Sequence, residues 1–463
     1  MDIKIKDIIK VCNGELICGN EEDICIDFSK DTRTIQENDV YVGIKGENFD
    51  GNNLYIEALE KGAKACILQG VEINKDIIAK YKNKAIIMVN DTIKALQEIA
   101  KYKRSLYNIP VIAITGSVGK TSTKDIIASV VGEQYTVLKT QGNLNNHIGV
   151  PLTILSLKEH EALVVEMGMS NAGELTVLSE IAHPDIAVIT NVGTAHIGNL
   201  GSRENILKAK LEILNGIKEN GTLIINNDND LLNAWKNEYK GNVKIVTYGI
   251  ENKSKYNACE IELKENSSEF ILEIDSKYAE KIGVPVGGMH FVYNALSAIA
   301  VGEQLNIPIE KIKQGIEKFE LTKSRMELIK LENNITVVND CYNANYDSMK
   351  AAIEYLSKTN SKRKIAVLGD MLELGEFSSK LHTKVGEEVA KNKIDILITV
   401  GEMGKVIATA VKNSTNQTEV YSFNNNEDAI KKINEVIQKD DTVLIKASNG
   451  MKFKDIVEGI IKK

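Results

Sequence analysis

The stretch TGSVGKTSTK, residues 115–124, constrains this chain more tightly than any other part of it. It forms a short glycine-rich loop, G-x-x-G-K-T, from Gly116, Ser117, Gly119, Lys120 and Thr121. The apolar run IPVIAI (109–114) precedes it, and in the following TSTKDIIASVV the residues Ile126, Ile127, Val130 and Val131 share one helical face. Strand, loop and helix in that order are the context a phosphate loop requires. Backbone N–H groups at the start of a helix surround a phosphate, a lysine reaches the terminal phosphate, and the threonine hydroxyl suits Mg²⁺. The longer form of the motif would place a glycine at position 114, where this chain has Ile114.

The loop fixes one βα step, and the rest of the chain repeats it. From Ile109 to about Lys323 the runs IPVIAI, EALVVEM, PDIAVITNV, GTLIINN and VKIVTYG alternate with amphipathic stretches such as RENILKAKLEILNGI. That rhythm predicts a mostly parallel sheet covered by helices. After Arg325 it restarts with NITVVND, RKIAVLGD, DILITVG, TEVYSF and DTVLIKAS. Residues 1–107 mix short strand-like pieces with a helical stretch ending in TIKALQEIAKYKRSL, interrupted by the polar loop Lys45–Asn53. The expected fold is therefore α/β in three domains, 1–107, 108–323 and 324–463, and about three is what 463 residues suggest.

Composition narrows the function. A formal charge of -7 and a pI near 5.7 argue against nucleic acid or an acidic lipid surface as partner, because both need a basic footprint. The N-terminal segment MDIKIKDIIKVCNGELICG carries charges every few residues, unlike a signal peptide or anchor, and no apolar run approaches the roughly 20 residues of a membrane helix. The six cysteines form no C-x-x-C pair and read as reduced and structural. A cytosolic enzyme without stable membrane insertion, working as a monomer, fits these features.

Ligands of such sheets sit beyond the carboxyl ends of the strands. Glu166 ends EALVVEM, where it either ligates a metal shared with Thr121 or caps a neighbouring element. His196 follows PDIAVITNV, as a second ligand or as a loop histidine. Lys208 and Lys210 lie on the predicted helix 203–217, and an ammonium has no lone pair for a metal unless CO₂ converts it to a carbamate. Asn294 stands near the start of an apolar helix, placed to read a base or to cap. Arg325, at the junction of the second and third segments, is placed to bridge phosphates.

These stretches, with GNLNNHIGVPLT (142–153), EMGMSNAGEL (166–175), ITNVGTAHI (189–197), SRME (324–327), NDCYNANYDSM (339–349) and LGDMLELGEFSSKLH (368–382), make the chain resemble the Mur ligase family across nearly its whole length. GNLNNHIGVP, YNAN and LGDMLELG resemble the branch whose amino substrate is D-alanyl-D-alanine. The resemblance implies an N-terminal domain for a UDP-sugar, a central ATPase and a C-terminal Rossmann-like domain that brings the amino substrate. It also implies that ATP phosphorylates the free carboxylate of a UDP-N-acetylmuramoyl-tripeptide. The amine of D-alanyl-D-alanine then attacks, giving an amide, ADP and phosphate for cell-wall assembly.

Position by position, the resemblance puts the transferring phosphate on Lys120 and a first Mg²⁺ on Thr121 and Glu166. It puts a second Mg²⁺ on His196 and an N-carboxylated Lys210. Asn294, Arg325 and Asp340 fall where the family contacts ATP. Asp31, Arg33, Lys45, Gly46 and Asn48 match the UDP-sugar region, and Asn145, Asn146 and Ser170 the acid substrate. Tyr342, Asn343, Asn345 and Asp370 lie nearest the amino substrate. The chain departs from the family at Asn339, Cys341 and Tyr346, where D-D-[ST]-Y-N-A-N-P has its first Asp, its hydroxyl residue and its proline. It departs also at Asn52, where D-G-H has histidine, and in KASNGMKF, a loosened K-G-S-R-x-M.

Two other readings compete. A guanine-nucleotide switch would use N-K-x-D, present as Asn392–Asp395, but here that tetrapeptide precedes a strand instead of following one. A sister muramoyl or folylpolyglutamate ligase would share the mechanism and differ in substrates.

Overall fold

The computed structural model describes residues 3–461. Its largest sheet has nine strands. From one edge they run Lys277–Val284, Ser268–Ile274, Tyr256–Leu263, Lys244–Gly249, Thr222–Asn226, Ile186–Ile189, Val111–Thr115, Ala162–Glu166 and Val137–Lys139. The last six pair in parallel, and Val111–Thr115, buried along its length, lies between Ile186–Ile189 and Ala162–Glu166. The chain thus leaves this central strand for one side and returns on the other, which opens a crevice above its carboxyl end.

The expected alternation fails in one place. Between Lys244–Gly249 and the helix Met289–Gln304 there are three consecutive strands, Tyr256–Leu263, Ser268–Ile274 and Lys277–Val284, antiparallel to one another. Asp275 and Ser276 both have positive φ, 50° and 63°, which is the two-residue turn geometry that matches strand twist. The segment therefore doubles back without a crossover helix.

A six-stranded sheet follows, in the order Glu327–Lys330, Thr336–Asn339, Asp441–Lys446, Arg363–Gly369, Ile396–Val400 and Glu419–Phe423. All its pairs are parallel except the edge strand Glu327–Lys330. The five strands expected after Arg325 are all present, and the edge strand is an addition. Near the N-terminus a smaller five-stranded sheet runs Glu15–Cys18, Ala85–Met88, Ala65–Leu68, Val40–Val42 and Phe28–Ser29. Its inner strands are buried, and the helix Thr92–Ser105, capped by Asp91 on the N–H groups of Ile93 and Lys94, leads from it into Val111–Thr115. Among the described residues no helix is long and apolar enough to cross a membrane, and the six cysteines are free thiols.

Candidate active site

The phosphate loop starts where Val111–Thr115 stops. A Cβ on Gly116 would sit 1.9 Å from Thr190 Oγ1, so only glycine lets the loop pass that close. Gly119, at φ 82°, caps the helix Lys120–Gly132, whose first N–H groups have no intrahelical acceptor. Asn191 grips the loop from the next strand end: its Oδ1 accepts from Ser117 N at 3.1 Å and Val118 N at 2.9 Å, and its Nδ2 donates to Val118 O at 3.1 Å. Asn191 lies within the stretch ITNVGTAHI but was not picked individually, although its place just past a strand end was a usable signal.

Lys120 donates to Gly116 O at 2.8 Å. Burial pulls its ammonium below the ordinary lysine value and Arg325 adds to the fall, while Glu166 opposes it. Glu166 is 2% exposed; Oε1 accepts from Asn145 Nδ2 at 2.8 Å, and Oε2 is buried with no partner. Arg325 Nη2 donates to Thr121 Oγ1 at 3.2 Å, and its guanidinium lies 3.9 Å from the centre of the Tyr342 ring.

Helix Arg203–Leu211 separates the two lysines that spacing left equivalent. Lys208 is exposed, whereas Lys210 is 1% exposed and among the described residues has no hydrogen-bonding or ion-pairing partner. Burial and the nearby Lys120 push its ammonium well below the ordinary value, favouring the neutral amine. His196 sits at φ 61° with Nδ1 2.7 Å from Glu373 Oε2.

A cavity of about 440 Å³ gathers these groups except Lys210, which lines neither it nor the smaller cavity beside it. Ser117, Gly119, Lys120, Thr121, Glu166 and His196 line its central-sheet wall, with Asn145, Asn146 and Ser170 beside them. Arg325, Tyr342, Asn343 and Asn345 line the opposite wall, joined by Leu372, Glu373 and Ser448 to Gly450, which sequence reasoning had not picked individually. A narrower cavity of about 140 Å³ adjoins it, lined among others by Asn226, Tyr248, His290, Tyr293, Asn294 and Asp340. There Thr123 Oγ1 donates to Asn294 Oδ1 at 3.0 Å, and Lys446 Nζ lies 2.6 Å from Asp340 Oδ2.

Other expected residues stand apart. Asp31 pairs with Arg33 at 2.6 Å on the surface of the N-terminal sheet, and Lys45, Gly46 and Asn48 are exposed; none lines either cavity. Asn52 is buried, donating to Asp50 Oδ1 at 2.7 Å and accepting from Gln69 N at 3.0 Å, so it ties its own loop. Asp370 accepts from Gly404 N at 2.7 Å, holding the start of helix Gly404–Ser414. Asn392–Asp395 leads into Ile396–Val400 at that strand's amino end, opposite to where ligands sit.

Phosphate loop, buried carboxylate and cationic bridge, on a mostly parallel sheet faced by a second one, define a nucleotide-using α/β enzyme. Its sequence matches the models for the Mur ligase middle domain over residues 114–302 and the Mur ligase glutamate ligase domain over 324–449. A UDP-N-acetylmuramoyl-tripeptide–D-alanyl-D-alanine ligase of Bacillus subtilis strain 168 is 38% identical over 462 residues, 99% of this chain and 98% of that protein. The crystal structure of MurF from Acinetobacter baumannii aligns with a TM-score of 0.89 at 29% identity, covering 100% of this chain and 99% of the other. MurF from Thermotoga maritima in complex with ADP aligns at 0.82 with 27% identity, covering 94% and 97%. The chain belongs to the Mur ligase family.

Proposed function

We propose that this protein is an ATP-dependent amide ligase that joins D-alanyl-D-alanine to UDP-N-acetylmuramoyl-tripeptide. The observation that carries the reading is the single cavity in which Lys120 and Glu166 face Arg325 and Tyr342 across two sheets. Full-length similarity to ligases named for that reaction supports the choice of substrates.

A carboxylate is a poor electrophile at neutral pH, and phosphorylation gives it a leaving group. Lys120 and Arg325 hold the γ-phosphoryl group as the substrate carboxylate oxygen attacks phosphorus and ADP leaves. The amine then attacks the acyl carbon, a tetrahedral adduct forms, and inorganic phosphate departs as the nitrogen loses a proton. Walls from both sheets keep water from the acyl phosphate.

The donors fit magnesium. Glu166 offers a buried oxygen without a partner in the cavity that Thr121 also lines, and His196 offers an imidazole whose Nδ1 lies 2.7 Å from Glu373 Oε2. Lys210 as a neutral amine takes up CO₂ with loss of a proton, and the resulting carbamate supplies anionic oxygens. Bound there, Mg²⁺ would screen the repulsion between an anionic carboxylate and an anionic phosphate. Division of the chain near residues 107 and 323, a UDP-sugar region around Asp31, Arg33, Lys45, Gly46 and Asn48, a role in cell-wall growth and division, and a cytoplasmic location all belong to this proposal. Asp370, as a helix cap, acts on the amino substrate only indirectly.

The test is phosphate release from ATP and Mg²⁺ with tripeptide and D-alanyl-D-alanine together, against each alone and against UDP-muramoyl dipeptide with single amino acids. Release that needs both, with a matching pentapeptide mass, is the expected result. Release with another acceptor pair would move the protein to a sister activity.

A further inference from the structure

Two carboxylates from the C-terminal sheet unit close on the turn that carries His196. Asp347, in the first turn of the helix Tyr346–Ser357, accepts at Oδ2 from the Thr194 backbone N–H at 2.7 Å and from Thr194 Oγ1 at 2.8 Å. On the far side of His196, Glu373 brings Oε2 to 2.7 Å from Nδ1 of the ring, and its backbone oxygen accepts from Gly198 N at 3.3 Å. Neither approach leaves slack. A Cβ on Gly193 would lie 2.3 Å from Asp347 Oδ2, and one on Gly198 would lie 2.7 Å from Glu373 O.

Between these two grips His196 holds a left-handed conformation at φ 61°, which is uncommon for a residue with a side chain. The turn is also tied inward, because Gly193 N donates to Ser117 Oγ of the phosphate loop at 2.9 Å. Asn345, which caps the helix bearing Asp347, donates from Nδ2 to Ser117 O at 3.4 Å. A continuous line of contacts therefore runs from the phosphate loop through residues 193–198 to the C-terminal unit.

We propose that Asp347 and Glu373 form a two-point bracket through which seating of the C-terminal unit sets the His196 turn, so that His196 is presented correctly only when that unit is closed. Asp347 lines neither cavity, so it is a positioning residue that acts through Thr194. The idea rests on the ligase reading for its purpose: an acyl phosphate formed before the amine-bearing wall arrives is lost to water. Delaying completion of the acid side until closure prevents that loss.

The test is hydrogen exchange of the full-length, ligand-free protein read by mass spectrometry, followed by steady-state kinetics. Asp347→Ala is expected to speed exchange across residues 192–200 by about tenfold or more, while the strand Val111–Thr115 keeps its protection. It should lower kcat by about one to two orders of magnitude with little change in KM for ATP, as expected when a group is misplaced and not removed. Asp347→Asn keeps an acceptor oxygen and should restore most of both. Gly193→Ala, which leaves the carboxylate in place but displaces it, should reproduce Asp347→Ala. Unchanged exchange at 192–200 in both Asp347→Ala and Gly193→Ala overturns the proposal, and so does loss of protection spread evenly over the protein. Exchange is read without substrates, so the bracket stands or falls separately from the ligase assay.

Discussion

Asn145 Nδ2 donates to Oε1 of Glu166 at 2.8 Å and leaves Oε2 buried and unpartnered. One oxygen of the carboxylate is thus spent on orientation, and in the proposed function the other is the one that would meet a cation. Asn145→Ala frees the carboxylate to rotate; activity should fall about 10- to 100-fold, with a higher Mg²⁺ concentration at half-saturation. Asn145→Asp should do worse, because it sets a second anion against Glu166. A Mg²⁺ titration of phosphate release, with circular dichroism to confirm folding, measures both.

Asp340 and Lys446 form a buried pair, with Lys446 2% exposed and its ammonium also donating to Asn343 O at 3.0 Å. Removing one partner leaves the other charge buried and uncompensated, so Asp340→Ala should cost about 3–5 kcal/mol in urea unfolding. The double variant Asp340→Leu with Lys446→Met should recover most of that loss. A double variant no more stable than the single one would show that the pair is not the source of the cost.

What the sequence made legible follows from how strongly each signal is tied to backbone geometry. Glu166 and Asp340 stand at or just past the ends of buried parallel strands, which read as apolar runs, and a strand end is where such sheets hold ligands. The strands at 256–284 were missed because their outward faces are polar and their hairpin turns on Asp275 and Ser276 instead of a glycine pair. Lys208 and Lys210 were indistinguishable by spacing, and only the packing of one helix buried the second. Asp370 reads as a strand-end carboxylate, yet a helix start claims it. Contacts between units, such as Asp347 with Thr194 over 153 positions, have no local signature at all.

His290 gives the protein an acid sensitivity. Burial holds its imidazole down to about 4, Asp340 opposing that fall and Lys446 adding to it. The unfolded chain binds this proton below about pH 6.5 and the folded one only near pH 4, so stability is full above 6.5 and declines as pH falls through that window. The ring is partly exposed in its cavity, which reduces the effect to about 2 kcal/mol. Urea unfolding of wild type and His290→Gln at pH 7 and pH 5 should show the variant losing less stability over that interval; parallel losses would refute the assignment.

Lys210 supplies the sharpest chemical test. A buried amine with no counter-ion and a depressed pKa is a nucleophile for CO₂, and its carbamate would turn a useless cation into a ligand. Lys210→Ala should therefore lose most activity, by about 100-fold or more, because the proposed metal position would lose its anionic oxygen. Wild-type protein handled under CO₂-free conditions should lose turnover and regain it when bicarbonate is added, while Lys210→Ala should not respond. Carbon-13 NMR with labelled bicarbonate should show a carbamate resonance in wild type that is absent from Lys210→Ala. Near-normal turnover in Lys210→Ala, with or without bicarbonate, would remove the carbamate from the mechanism and leave Lys210 as a lysine whose burial only serves packing.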